Sequence, residues 1–269
     1  MDTKVDPGLK SVPETMLWTL HNRASEAVRP DGILKDDEGV RIYKSIDYDY
    51  ERSFRKADGV HAIRAVVFDR ELKKWIESHP EGFVVGLAEG LETQCKRVDN
   101  GRIRWLSIDL PEGMEVRERF IAPTDRFKHL GMSALDESWM EKVDASNGVF
   151  ITVQGLFMYL QPDDVRTIMQ KIAKRFPGAV MMFDTSPTWM SEHTKKGWQK
   201  TPNYKVPHMP WGLNRNEVEP TIRQWLPNAK SIELFDFGFP RGIMKLFMKA
   251  VLLTPWIREH VPVMARVQL

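Results

Sequence analysis

Two short apolar runs, at residues 83–87 and 103–108, enclose a loop of small residues and a short polar segment. Each run has the length and composition of a strand that is buried on both faces. Strands of this kind pair in parallel, and the chain between them crosses the sheet through a helix, which we predict at residues 92–98. The pattern therefore predicts a βαβ unit at the centre of an α/β sheet.

The loop after the first run contains the small residues Gly86, Ala88 and Gly90. Small residues let the backbone turn sharply and let a ligand approach it, although such a loop is as often an ordinary tight turn. Glu89 in this loop would repel a pyrophosphate and attract a cation. S-adenosylmethionine (SAM) carries a sulfonium and an ammonium, so the loop favours SAM over a dinucleotide.

Two spacings support that choice. The loop reads G-x-A-x-G, whereas the dinucleotide fingerprint reads G-x-G-x-x-G. Asp109 ends the second run and lies 19 positions after Gly90, close to the roughly 20-residue separation at which an acid reaches a ribose hydroxyl. A nicotinamide-dependent oxidoreductase would share the βαβ unit and this acid, but the sequence has no Tyr-x-x-x-Lys dyad. It stays the less favoured alternative.

The rest of the chain alternates strands and helices around this unit. We predict further strands within residues 127–133 and at 148–153, 179–183, 231–237 and 265–269. We predict helices at residues 12–28, 59–78, 112–120, 137–143, 162–176, 216–225 and 244–259. These elements predict an α/β fold, a doubly wound and mostly parallel seven-stranded sheet, in a single domain.

Within that domain we expect four parts. They are an N-terminal helical and aromatic extension (1–58), a cofactor-binding core (59–185), a lid segment rich in Trp and Pro after the fifth strand (186–215), and the C-terminal part of the sheet (216–269). The lid segment is too apolar for a simple linker.

Composition excludes several classes of protein. The net charge is +2 without a long basic run, which argues against a nucleic-acid partner. The single cysteine, Cys95, excludes an internal disulfide framework, and the scattered histidines predict no metal site. No stretch has the length of a membrane span, so we expect a cytoplasmic protein without a membrane partner. We interpret the apolar residues 242–257, which include Lys245 and Lys249, as a packed amphipathic helix.

With these elements placed, the chain resembles the leucine carboxyl methyltransferase family, and more closely its bacterial branch of tetracenomycin-type polyketide O-methyltransferases. The matching stretches are RAVVFD (64–69), VVGLAEGLETQ (84–94), WLSIDLP (105–111), SALDESW (133–139), QGLFMYL (154–160) and VMMFD (180–184). The resemblance implies a class I, Rossmann-like methyltransferase of secondary metabolism with SAM as its cofactor. In that fold the last strand is usually antiparallel.

The resemblance also implies roles for single residues. Arg64 would grip the carboxylate of the cofactor, Asp109 would accept hydrogen bonds from the ribose, and Asp136 would accept one from the adenine amino group. Their ordinary interpretations are a helix-surface arginine, a strand-end cap and a helix N-cap. The complete predicted cofactor site is Arg64, Gly86, Ala88, Glu89, Gly90, Thr93, Asp109, Leu110, Ser133, Ala134, Leu135, Asp136, Gln154 and Gly155.

Three positions depart from the family pattern. This chain has Ala88 where glycine is common, Gln94 where arginine is frequent, and Gln154 where glutamate is usual. Gln154 loses a charge that could pair with the ammonium of the cofactor, and we hypothesise that Glu89 supplies one instead. The same departures are the only support for a further alternative, a SAM-binding relative that no longer catalyses methyl transfer.

The acceptor site is predicted from aromatic residues. We expect an apolar cavity for a flat or hydrophobic acceptor lined by Trp18, Tyr159, Trp189, Trp198 and Trp211. Ordinary packing of these residues is the alternative. A carboxylate acceptor needs no base, whereas a phenol or alcohol would benefit from one, for which His208 and Tyr204 are the candidates.

The predicted function is therefore transfer of a methyl group from SAM to a carboxyl or hydroxyl oxygen of a small polyketide-like or aromatic metabolite. The sequence leaves open which oxygen reacts, whether a base is used and whether the chain forms a homodimer.

Overall fold

The computed structural model describes residues 4–269; the first three residues of the predicted N-terminal extension lie outside them. Within this range the strands are β1 (Phe83–Leu87), β2 (Arg104–Asp109), β3 (Phe127–Gly131), β4 (Val149–Val153), β5 (Val180–Thr185), β6 (Gln199–Thr201), β7 (Tyr204–Lys205), β8 (Ser231–Asp236) and β9 (Val263–Gln268). The α-helices are α1 (Ser11–Ala27), α2 (Asp37–Ser45), α3 (Tyr50–Phe54), α4 (Val60–Ser78), α5 (Gln94–Arg97), α6 (Pro111–Glu118), α7 (Pro162–Arg175), α8 (Thr188–Lys195), α9 (Arg215–Trp225), α10 (Gly242–Leu253) and α11 (Pro255–Arg258). Two 3₁₀ helices span Glu137–Lys142 and Phe157–Tyr159.

One seven-stranded sheet forms the centre, in the order β3-β2-β1-β4-β5-β9-β8. Strands β1 to β5 are parallel, and β9 lies antiparallel between β5 and β8. The predicted fold class is confirmed, and so is the antiparallel last strand that the resemblance implies. The chain grows outward from β1 in one direction and from β4 in the other, which leaves a crevice at the carboxyl ends of these two strands.

Helices cover both faces of the sheet, which is why the central strands are buried on both sides. On one face Phe68 and Trp75 of α4 pack with Trp105 and Phe150. On the other face the fully buried Trp139 joins the apolar side of α7 in a separate cluster. The strands and helices that alternate in the sequence therefore form a central sheet with a layer of helices on each face.

The connection between β1 and β2 is less helical than we predicted. The helix expected at residues 92–98 is the single turn α5, because buried polar contacts hold the preceding residues as a loop. Nη2 of Arg23 donates to the carbonyl of Leu91 at 2.8 Å, and Nη1 of Arg23 donates to Glu92 at 2.7 Å. The loop conformation therefore depends on contacts with α1, which the local sequence cannot predict.

Other boundaries also differ from the prediction. The N-terminal extension contains two short helices that we did not predict, α2 and α3, whose N-termini are capped by the carboxylates of Asp36 and Asp49. The lid segment contains regular structure that we did not predict, namely α8 and the hairpin of β6 and β7. Pro255 begins a new turn, so the helix predicted at residues 244–259 is split into α10 and α11.

The expected packing of α10 is wrong. Val251 is its only buried residue, whereas Ile243 is 80% exposed and Phe247 is 58% exposed. No helix within residues 4–269 is long and apolar enough to cross a membrane.

Candidate functional site

A cavity of about 640 Å³ lies at the carboxyl ends of the central strands. Its walls come from the ends of β1, β2, β4 and β5, from α1 and α4, and from the lid segment. This is the topological switch point, where doubly wound sheets bind their ligands, and the volume lies within the range of small-molecule sites, about 300–1,000 Å³.

The cavity brings together most of the predicted site residues. From the predicted cofactor site it is lined by Arg64, Ala88, Glu89, Gly90, Asp109, Leu110, Ser133, Ala134, Leu135, Gln154 and Gly155. From the predicted acceptor site it is lined by Trp18, Tyr159 and Trp198. The two sets share one continuous space, although they come from distant parts of the chain.

Arg64 is held by an ion pair that sequence reasoning missed. Its Nη1 donates to Oδ2 of Asp184 at 3.0 Å, and Oδ1 of Asp184 accepts from the backbone nitrogen of Gly155 at 2.6 Å. Both side chains are buried, so the guanidinium is fixed in one orientation. The Arg64 Nε has no hydrogen-bond partner within the described chain, which leaves a buried donor for a ligand carboxylate. The sequence feature that could have indicated Asp184 is an acidic residue at the end of a buried strand.

Asp109 joins the loop after β1 to the end of β2. Its Oδ2 accepts from the backbone nitrogen of Gly90 at 2.6 Å, and its Oδ1 accepts from that of Leu110 at 2.8 Å. Burial raises the pKa of Asp109 to about 6, although both hydrogen bonds act to lower it. A carboxylate has about four lone-pair sites, so Asp109 can still accept hydrogen bonds from a diol. The strand-end role and the predicted ribose contact are compatible.

Gln94 and Gln154, two of the residues that depart from the family pattern, are hydrogen-bonded to each other. Nε2 of Gln154 donates to Oε1 of Gln94 at 3.1 Å, and the same oxygen accepts from Oγ1 of Thr152 at 3.1 Å. Among residues 4–269, Oε1 of Gln154 has no partner. A neutral amide pair thus stands where the family pattern places an arginine and a glutamate. Gln154 lines the cavity, so its Oε1 is free to accept a hydrogen bond there.

Glu89 is more constrained than our hypothesis assumed. Its Oε2 accepts from Nε1 of Trp105 at 3.1 Å and lies 3.5 Å from Nη2 of Arg117. Burial raises the pKa of Glu89, while Arg117 opposes that shift. Only Oε1 lacks a partner in the described part of the chain. Because Arg117 already balances the charge, a contact between Glu89 and the ammonium stays a prediction.

Gly86 does not line the cavity. A Cβ at this position would come within 2.6 Å of Cδ of Glu89. The glycine therefore makes room for the buried Glu89 side chain, rather than for a ligand that approaches the backbone.

Thr93 and Asp136 also lie off the cavity. The hydroxyl of Thr93 donates to Asp36 and accepts from Nη1 of Arg97 at 2.7 Å, inside a buried polar cluster. Asp136 is exposed and caps the following 3₁₀ helix by accepting from the backbone nitrogen of Ser138 at 3.0 Å. Its interpretation as an N-cap is confirmed, while its contact with adenine stays a prediction.

The buried polar cluster connects α1 to the cofactor loop. Arg23 is fully buried, and its Nη1 donates to Asp36 at 3.0 Å as well as to Glu92. Although burial opposes ionisation of Glu92, Arg23 and Arg97 lower its pKa to about 2. The loop that lines the cavity is therefore held by charges from α1, which sequence reasoning treated as an extension outside the sheet.

The aromatic end of the cavity is built around Trp18. Its ring lies edge-on to His61 with centroids 5.5 Å apart, and Nζ of Lys200 lies 4.1 Å from the ring centroid. Trp198 and Tyr159 line the same space. The apolar wall thus carries one cation, contributed by β6 of the lid segment.

His61 is a second site residue that we did not predict. Oδ1 of Asn22 accepts from the backbone nitrogens of Asp58 (2.8 Å) and Gly59 (3.1 Å), which turns its Nδ2 toward Nδ1 of His61 at 2.8 Å. The neutral imidazole therefore carries its proton on Nε2. Burial, with Arg64 as the next cause, holds the pKa of His61 well below its ordinary value. His61 lies one helical turn before Arg64, a spacing that could have indicated it.

Both candidate bases lie off the cavity. Tyr204 is buried behind Trp18 and packs against Phe54 with centroids 4.8 Å apart. Burial raises its pKa above the ordinary value, so it is a poor base. His208 is exposed on the lid segment. The structure therefore gives neither residue access to a ligand in this space.

Two predicted acceptor residues are placed elsewhere as well. Trp211 belongs to the hydrophobic core, where its ring stacks on Trp225 with centroids 5.7 Å apart. Trp189 is 49% exposed, and its Nε1 donates to the carbonyl of His260 at 2.8 Å. Ordinary packing, the alternative interpretation, accounts for both positions.

The relatives found by comparison with known proteins are methyltransferases. No protein-family model matches the chain. The chain is 28% identical over 190 residues to the tetracenomycin polyketide synthesis O-methyltransferase TcmP of Streptomyces glaucescens, over 70% of each chain. It is 25% identical over 187 residues to the S-adenosyl-L-methionine-dependent methyltransferase dpfgK of Gibberella zeae, over 62% of each chain. The methyltransferase domain of bacterial CtHen1 shares the fold, with a TM-score of 0.50 and 11% identity over 78% of this chain and 100% of that one.

Fold and relatives together define a class I SAM-dependent methyltransferase, and the predicted cofactor is confirmed. The residues present fit SAM, because the cavity wall offers a buried unpartnered donor on Arg64, a free acceptor on Gln154 and the carboxylate of Asp109. Within this class the chain is similar to TcmP, which confirms the resemblance to the tetracenomycin-type enzymes. These findings give no support to the nicotinamide-dependent alternative.

Proposed function

We propose that this protein transfers the methyl group of SAM to an oxygen of a small aromatic, polyketide-like metabolite. The observation that carries the proposal is the single cavity with two unlike ends. Arg64, Asp109 and Gln154 line its polar end, and Trp18 and Trp198 line its aromatic end. Similarity to TcmP, a polyketide synthesis O-methyltransferase, supports oxygen as the acceptor atom and a polyketide-like compound as its carrier.

At the polar end, three side chains would hold the cofactor. Arg64 would bind its carboxylate, Asp109 would accept from its ribose, and Gln154 would accept from its ammonium. When bound, SAM supplies an electrophilic methyl group on a sulfonium. The protein must then align the acceptor oxygen with that methyl group and exclude water. Residues 133–135 would contact the adenine, on the same wall as Asp109.

At the aromatic end, the side chains favour an acceptor that is already ionised. Hydrogen bonding from Asn22 keeps the His61 proton on Nε2, so this atom donates rather than accepts. Burial raises the pKa of Tyr159 to about 12, so the phenol is not a base near neutral pH. Lys200 adds a positive charge beside Trp18. An aromatic carboxylate matches this set, since it carries its own nucleophilic oxygen.

The test is a labelled-methyl assay with matched acceptors, such as 2-naphthoic acid and 2-naphthol. We expect label on the carboxylic acid as a base-labile ester, and less on the naphthol. Trp18→Ala should reduce turnover while SAM affinity, measured by calorimetry, stays within a factor of about three, because Trp18 lies at the aromatic end. Transfer to the naphthol alone would refute the preference for carboxylate. SAM binding without transfer to any oxygen acceptor of a broader panel would favour the non-catalytic alternative.

A further inference from the structure

The excursion between β8 and β9 carries an unusual apolar surface. Of the ten exposed large apolar side chains in the described chain, six lie in α10 and α11. They are Ile243, Met244, Leu246, Phe247, Leu253 and Trp256. A monomeric protein seldom leaves such a cluster in water without a function.

Four exposed apolar residues of α10 lie on one face of the helix. Ile243, Leu246, Phe247 and Leu253 follow the spacing of one helical stripe, and Leu253 is 83% exposed. Val251, the only buried residue of the helix, faces the protein. The helix is therefore apolar around most of its circumference, and the stripe of Ile243, Leu246, Phe247 and Leu253 is exposed to water.

This surface is also basic. The sequence from Phe237 to Arg258 contains no Asp or Glu. Arg241 and Arg258 anchor the two ends of the excursion by donating to Glu26 (2.8 Å) and Asp236 (3.0 Å). Lys245 and Lys249 are exposed on α10 itself and lie together along one side of the apolar stripe. The free charge beside the stripe is thus positive.

We propose that α10 and α11 bind peripherally to an anionic lipid bilayer, with the apolar stripe inserted at the headgroup level. Charge complementarity selects this occupant, because Lys245 and Lys249 can reach anionic headgroups while the stripe leaves water. Trp256, 73% exposed, suits the interface between headgroups and acyl chains. A second copy of the surface would bring the same lysines and no acid, so like charges oppose self-association.

The proposal reverses our expectation from sequence that the protein has no membrane partner. It is independent of the acceptor that the cavity takes. Phe237 and Phe239 of the same excursion line the cavity, so a bilayer bound to α10 would lie on the side of the molecule that contributes this wall.

The test is co-sedimentation of the full-length chain with vesicles of phosphatidylcholine, with and without phosphatidylglycerol. We expect binding to the anionic vesicles that falls strongly in 0.5 M salt or without phosphatidylglycerol. Lys245→Gln/Lys249→Gln should weaken binding by about 30-fold, from about fivefold per lysine. The matched pair Lys44→Gln/Lys142→Gln, which removes two exposed lysines elsewhere, should bind as the wild type does.

Phe247→Glu should abolish binding, because it places a charge in the stripe. Val28→Glu, at a residue that is 55% exposed outside the excursion, should have no effect. Both sites are exposed, so both variants should retain the wild-type circular dichroism spectrum. The proposal is overturned if the wild type does not bind anionic vesicles, or if Phe247→Glu binds as well as Val28→Glu. A dimer in light scattering that Phe247→Glu dissociates, without vesicle binding, would assign the surface to a second copy instead.

Discussion

The contact between Gln94 and Gln154 gives a prediction with a defined magnitude. Gln154→Leu keeps most of the side-chain volume and removes Oε1, the acceptor that we propose for the ammonium of the cofactor, while Thr152 still donates to Gln94. A hydrogen bond to a charged group contributes about 1.5–3 kcal/mol. The affinity for SAM should therefore fall by about 10- to 150-fold in calorimetry. Gln170→Leu, at an exposed glutamine on α7, should leave the affinity unchanged.

The same pair can be tested by restoring the charges of the family pattern. Gln94 is fully buried, so Gln94→Arg alone places an unpaired cation in the interior and should cost about 3–5 kcal/mol of unfolding free energy. Adding Gln154→Glu supplies a carboxylate at the position that now lies 3.1 Å from Gln94. A double-mutant cycle by urea unfolding should give a favourable coupling of about 2 kcal/mol. An additive cycle, together with unchanged SAM affinity in Gln154→Leu, would refute the assignment of this pair.

Three further predictions concern the loop and its supports. Ala88 has a left-handed backbone (φ 51°), so Ala88→Gly should raise the unfolding free energy by about 0.5 kcal/mol. Ala62→Gly, inside α4, should instead lower it by about 1 kcal/mol. If urea unfolding shows Ala88→Gly to be less stable than Ala62→Gly, the strain assigned to Ala88 is refuted. Because burial raises the pKa of Asp109 to about 6, calorimetric SAM affinity should be flat above pH 7 and fall as pH drops through 6; a profile that Asp109→Asn leaves unchanged would exclude Asp109 as its cause. For stability the sign is opposite, since the protonated form is favoured in the folded chain, and this contribution is lost as pH rises from about 3.8 to about 6. Arg23→Met removes one of the two buried guanidinium groups that pair with Asp36 and Glu92, and leaves Arg97 as the other. It should cost about 3 kcal/mol in urea unfolding, with weaker SAM binding. A loss below about 1 kcal/mol would show that α1 does not hold the loop.

The sheet was predictable because its signals are local. Each central strand is a short apolar run, and β1 and β2 were placed within one residue of their observed bounds. Asp109 and the small residues of the loop sit where strands end, so their convergence on one crevice follows from parallel pairing. The antiparallel direction of β9 came from the resemblance, since neither hydrophobicity nor length encodes strand direction.

The missed features depend on tertiary contacts. The ion pair of Arg64 with Asp184 joins residues 120 positions apart, and the contact of Arg23 with Glu92 joins residues 69 apart. His61 gains its donor role only because Asn22, on another helix, fixes its tautomer. The aromatic residues of the lid segment could not be sorted from sequence, because Trp198 on the cavity wall and Trp211 in the core have the same local character. The division into four parts stays a prediction.

A crystal structure of the protein with S-adenosylhomocysteine would show which residues hold the cofactor. We expect the ligand in the cavity at the carboxyl ends of β1 and β4, with its carboxylate on Arg64, its ribose on Asp109 and its ammonium near Oε1 of Gln154. The sulfur should face the space lined by Trp18 and Tyr159. A ligand bound outside this cavity, or bound inside it without contact to Arg64 and Asp109, would refute the proposed cofactor site.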